Sequence, residues 1–206
     1  MSKFFILLFV VLGVLSGPAK EMMVVKPVRY FIRLDTMLCI DLERSRLFWK
    51  GTKLAGTGKH EGTLRFLDGN LMFEGGELVA GQLMVDMQSI HITDISPQDI
   101  VPIRNLTGHL KADFAVGQFP IAKLEIEQVT QISEMEVQIK ALLTIRSITW
   151  SIDILVRKEK WDSDKYHFSS QFSFDRFDWN IGSEGSWLEK KLVDRDIQVG
   201  VDLFTM

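Results

Sequence analysis

From about residue 40 onward, apolar residues recur at every second position. Val137, Ile139, Ala141, Leu143 and Ile145 alternate with Glu136, Gln138, Lys140, Leu142, Thr144 and Arg146. Ile148, Trp150, Ile152, Ile154 and Val156 alternate with Thr149, Ser151, Asp153, Leu155 and Arg157. Phe168, Ser170, Phe172 and Phe174 are opposed by His167, Ser169, Gln171 and Ser173, and Ile197, Val199, Val201 and Leu203 by Gln198, Gly200 and Asp202. One apolar and one mostly polar face marks a half-buried antiparallel strand; a helix would space its apolar residues three and four apart. The segments 47–53, 62–67, 78–92 and 122–129 also read as strands, less cleanly. Gly56, Gly58, Asp68-Gly69-Asn70 and Gly75-Gly76 are turn signals between them. Ile145 and Ile148 flank two turn residues in matching phase, which predicts an antiparallel hairpin of 137–145 with 148–156.

Two stretches break the alternation. Residues 94–120 hold Pro97, Pro102 and Pro120 and a short helix near 106–114, and 186–193 fit a helical turn. The expected fold is all-β: one antiparallel barrel of about eight strands with short helical insertions, and 94–120 as its only long excursion. Its interior would be either a filled core or a lined pocket, and periodicity does not separate the two.

The N-terminus adds an address. Lys3 precedes an apolar run of twelve residues, Phe4 to Leu15, and Ser16-Gly17-Pro18-Ala19 supplies small residues for cleavage. That is the layout of a secretory signal peptide over 1–19, too short to span a bilayer comfortably. After its removal the chain would start near Lys20 and be periplasmic or secreted, with no integral membrane span; a retained membrane anchor is the alternative. Residues 20–39 form a segment of undefined role, in which 28–39 fits an extra edge strand, and 40–206 form the barrel domain.

Composition changes the picture little. With 46% hydrophobic and 25% charged residues the chain is ordinary for a globular domain. Its net charge of −3 argues against a nucleic-acid partner. The single cysteine, Cys39, excludes an intrachain disulfide and reads as a buried small residue beside Met37, Leu38 and Ile40. The four histidines lack metal-ligand spacing, and no cofactor motif or nucleophile elbow is present. Asp175 and Asp178 flank Arg176, an arrangement that favours a structural ion pair over a catalytic carboxylate pair.

Five stretches carry a family resemblance: residues 45–53 leading into Gly58-Lys59-His60-Glu61-Gly62-Thr63-Leu64; Val85-Asp86-Met87-Gln88-Ser89-Ile90; His109-Leu110-Lys111-Ala112-Asp113-Phe114 with Phe119-Pro120; Leu143-Thr144-Ile145-Arg146-Ser147-Ile148-Thr149; and residues 174–182, followed by Asp196-Ile197 and Val199-Gly200-Val201. In this order and spacing the chain resembles the YceI-like, polyisoprenoid-binding family. Ser147 stands where that family commonly has glycine, and Trp150 adds a ring where a basic residue is common.

The resemblance implies an extended lipocalin-like barrel that carries or sequesters an isoprenoid chain, such as a quinone tail or polyprenol, rather than catalysing a reaction. No cofactor is implied beyond that ligand. Isoprenoid or other long-chain lipid is the expected partner, and a second copy of the chain a candidate one. Same-phase positions on successive strands nominate Leu83, Val85, Ile139, Leu143, Trp150, Ile152, Phe172, Phe174, Val199 and Val201 as the lining of one apolar cavity. The alternative is an enzyme or stress-response factor acting on a lipid-linked substrate, with His60, Asp86, His109 and Arg176 as a polar site at the barrel mouth. Structural roles for those four, including an Asp86–Arg176 ion pair, compete with it.

Overall fold

The computed structural model describes residues 36–53, 58–162, 165–182 and 193–206. The leader read over 1–19, most of 20–39 and the turn read over 186–193, except Val193, lie outside the described residues. The alternating runs form β1 (Thr36–Cys39), β2 (Arg46–Lys53), β3 (Lys59–Glu74), β4 (Glu77–Ile92), β5 (Ile121–Gln131), β6 (Glu136–Ile145), β7 (Ile148–Asp162), β8 (Lys165–Asp175) and β9 (Val193–Phe204), with helix α1 (Ile100–Asp113) between β4 and β5. Each strand from β2 to β9 pairs antiparallel with the next, and β9 pairs back onto β2. Eight strands thus close into a barrel. The short β1 adds to β3, with Thr36 opposite Phe73 and Cys39 opposite Asn70.

Up-and-down order sorts the connections. Those at 53–59, 92–121, 145–148 and 175–193 gather at one end with α1, here the helix end; the remainder gather at the tail end. Phe73 stacks on Tyr166 there with ring centroids 4.8 Å apart, Phe168 packs beside both, and Ile40 and Leu203 are buried with them. Large rings converging from β3 and β8 plug the tail end with apolar surface.

Several local expectations need correction. Asp68-Gly69-Asn70 is not a turn: β3 runs through it, and a register shift against β4 between Phe66 and Asp68 absorbs the extra residue as a bulge. Cys39 is exposed rather than buried, because Leu38 and Ile40 take the inward phase beside it. Asp175 pairs with Arg195, not Arg176. The helix begins at Ile100, earlier than the 106 read from the sequence, since Pro102 falls in its first turn, where a missing N–H costs nothing. Ala115, with φ 47, ends it: its N–H bonds to Ala112 O and that of Val116 to Lys111 O.

The β6–β7 hairpin pairs without a register shift from Glu136–Arg157 to Ile145–Ile148. Its turn residues Arg146 and Ser147 have φ of 51 and 60, as a two-residue turn matching strand twist requires. Serine pays for that left-handed geometry, which costs an L-residue about 1–2 kcal/mol. Allowing for the looser unfolded chain, Ser147→Gly should stabilise the barrel by about 0.5–1 kcal/mol. The urea midpoint would rise; an unchanged or lower midpoint would contradict this account of the turn.

Candidate functional site

The barrel is hollow. A cavity of about 700 Å3 runs inside it, lined by inward residues of all eight barrel strands, by Leu106, His109 and Leu110 of α1 and by Phe114 just after it. Pockets that enclose small molecules generally span about 300–1,000 Å3. Leu83, Val85, Ile139, Leu143, Phe172, Phe174, Val199 and Val201 all line it. Two nominated residues do not. Ile152 is half-buried against the core outside the lining. Trp150 is 54% exposed, and its indole N–H donates to Asp178 O at 3.0 Å.

The reason is Trp179, in the turn after β8. Trp179 is 2% exposed, meets Phe174 edge-on with centroids 5.1 Å apart, and donates from its indole to Leu143 O at 3.2 Å. The turn folds this ring inward near Leu143, the residue opposite Trp150 on the neighbouring strand. Trp150 keeps the inward phase but lies over the turn at the rim.

At the helix end the lining becomes polar. His60 Nδ1 lies 2.9 Å from Asp94 Oδ2, and the Glu61 amide donates to Asp94 Oδ1 at 3.2 Å. Burial pushes the Asp94 carboxyl up, but the Glu61 amide and His60 outweigh it and hold its pKa below the ordinary value of 3.8. A carboxylate whose folded pKa is depressed contributes stability above its unfolded value, and that stability is lost as pH falls through the folded one. Asp94→Asn should therefore lower stability at neutral pH and flatten its decline below pH 3.8; parallel pH profiles for parent and variant would contradict the anchor role.

Arg176 lines the same end and is 6% exposed. Its Nε donates to Asp194 O at 3.1 Å, Nη1 to Ile181 O at 3.0 Å and Nη2 to Val193 O at 3.5 Å. Burial draws the guanidinium pKa down, and Asp113 and Asp175 oppose that. Gly182, with φ 61, makes room: a Cβ there would lie 2.7 Å from Nη1. One cation thus ties Ile181 to the start of β9.

His60, His109 and Arg176 share this end, but Asp86 does not join them. It faces outward, 3.9 Å from Arg65, because Val85 and Met87 take the inward phase on either side. The Asp86–Arg176 ion pair is therefore absent, and none of the four candidates bonds to another among the described residues. Among the described residues, Asp86 thus stands apart from the three candidates at the helix end. Among the described residues, no three His, Cys, Asp or Glu side chains gather to hold a metal.

The family model for a YceI-like domain matches residues 39–204. This chain belongs to the YceI-like family. Its fold is shared by BcnA of Burkholderia cenocepacia, with TM-score 0.67 and 16% identity over 81% of this chain and 99% of that one. A polyisoprenoid-binding domain from Saccharophagus degradans, implicated in plant cell wall breakdown, has TM-score 0.60 and 15% identity over 82% and 97%. A YceI protein of Campylobacter jejuni has TM-score 0.51 and 16% identity over 63% and 74%. No curated protein matches the sequence significantly. At these identities the likeness to the solved structures is one of fold.

The YceI-like barrel also uses residues that the sequence reading did not nominate. Leu47, Trp49 and Gly51 of β2 face the cavity with the same period of two as the other strands. The Trp49 indole nitrogen is buried without a hydrogen-bond partner among the described residues. Its ring packs on Gly62, where a Cβ would fall 1.9 Å from His91 O, so glycine lets β3 and β4 approach beneath it.

Proposed function

We propose that this YceI-like barrel carries or sequesters a lipid with an isoprenoid chain, a quinone or polyprenol, after export to the periplasm or beyond. The observation that supports it is the cavity: mostly apolar, with its charged and histidine lining toward the helix end, which suits one long hydrocarbon with a polar head. Burial supplies the affinity. Each sequestered methylene contributes roughly 0.8 kcal/mol, so about ten contribute on the order of 8 kcal/mol before ordering costs. The family and the polyisoprenoid-binding relative support the same chemistry. The leader pattern over residues 1–19 supports export.

The indole of Trp49 faces the cavity and provides the readout. A long-tailed isoprenoid quinone should quench tryptophan fluorescence saturably, and a polyprenol without the quinone ring should compete with it. Equal competition by the tail-less quinone nucleus, or quenching that never saturates, would overturn the reading.

A further inference from the structure

The barrel wall is not uniformly laddered. β7 and β8 pair from their hairpin only as far as Val156–Ser170. Beyond that pair, toward the helix end, residues 148–155 of β7 pair with β6 alone and residues 171–175 of β8 with β9 alone. The two strands fork. An outer groove of about 380 Å3 lies at the fork, lined in part by Leu155 and Gln171, the residues that one further ladder step would set opposite each other. Ser169, Ser170 and Val201 line both this groove and the main cavity. Ser170 and Val201 belong to the inward phase, whereas Leu155 and Gln171 belong to the outward one. The groove and the cavity therefore share part of the wall, at Ser169, Ser170 and Val201.

Resting on the proposed lipid-binding function, we infer that this fork is a lateral portal through which an apolar chain enters and leaves the cavity. The tail end is covered by the Phe73–Tyr166 stack, and at the helix end Leu106 and Leu110 of α1 and Phe114 just after it line the cavity. A chain passing at the tail end must displace buried rings. At the fork no ladder hydrogen bonds need to break. The two sides are held above it by side-chain bonds to the turn, from the Trp150 indole to Asp178 O and from Arg146 Nη1 to Asn180 O. Leu155, half exposed at the groove, offers an apolar step for an arriving chain.

A portal has a kinetic signature. Narrowing it slows entry and exit by the same factor and leaves affinity unchanged, whereas losing a ligand contact acts mainly on the dissociation rate. The test uses the full-length mature protein with Cys39→Ser, a long-tailed isoprenoid quinone in detergent as probe, and stopped-flow tryptophan quenching. Gln171→Cys and Leu155→Cys each receive a bulky maleimide, Gln171→Trp narrows the groove without a label, and Glu125→Cys on β5 carries the same label away from the fork.

Association and dissociation should both slow by roughly tenfold or more at the fork sites, with Kd unchanged, while the label on β5 has no effect. Unchanged rates at all three fork variants would overturn the portal, as would a weaker Kd arising from dissociation alone. An unlabelled protein that takes up no quinone would instead overturn the binding function, and the portal with it. Thermal midpoints of the three variants separate blockage from unfolding.

Discussion

Trp179→Ala should destabilise the barrel by about 3–5 kcal/mol, the range for deleting a fully buried aromatic side chain. The ring is 2% exposed, packs against Phe174, and satisfies its indole on Leu143 O across the end of the barrel. Its removal leaves a void and frees the turn on which Trp150 and Arg146 bond. Trp150→Ala should cost far less, about 1 kcal/mol, because that ring is half in solvent and loses chiefly one hydrogen bond. Denaturant unfolding of both variants checks the ranking. A larger loss at Trp150 than at Trp179 would contradict the assignment of Trp179 to the interior.

Gly51→Phe should separate a hollow interior from a solid one. Gly51 lies on the cavity wall, and a Cβ there would meet no described atom within 4 Å. In a filled core such an enlargement forces strain of about 1–3 kcal/mol. In this barrel the ring should enter open space, and phenylalanine suits a strand better than glycine, so stability should hold or rise. Ligand binding should suffer instead. A ring that excludes two or three methylenes of the chain forfeits about 0.8 kcal/mol for each, which weakens binding roughly 15- to 60-fold. Thermal unfolding and quinone titration of the same variant check both halves. Strong destabilisation with unchanged binding would contradict the cavity.

Much of the fold was legible because closed antiparallel barrels leave a strict signature. Inward residues repeat every second position, so Ile139, Leu143, Phe172 and Val199 could be nominated for the interior from phase alone. Phase fails where the chain stops behaving as a strand. Trp150 satisfies the period yet lies over a turn, and Trp179, placed inside by that turn, has no period to reveal it. A bulge was equally invisible: Asp68-Gly69-Asn70 carries the composition of a turn, and only pairing with β4 shows that β3 continues.

The polar candidates divided for the same reason. His60, His109 and Arg176 come from three separate elements that converge at one end, which no local pattern encodes. Asp86 could have been set aside from the sequence, since Val85 and Met87 already claimed the inward phase beside it. The helix lining was half visible. Leu106, Leu110 and Phe114 fall on one helical face, but which barrel end they line follows from the connections and not from their spacing.

The central claim is that the cavity holds an isoprenoid chain, and mass spectrometry of an organic extract tests it most directly. Protein purified from its native compartment without added lipid would be extracted, and its intact mass measured before and after extraction. The account predicts one long isoprenoid quinone or polyprenol per barrel, lost on extraction and restored by adding the same lipid. A barrel that carries no lipid as isolated, and takes none up when offered quinone and polyprenol, would contradict it.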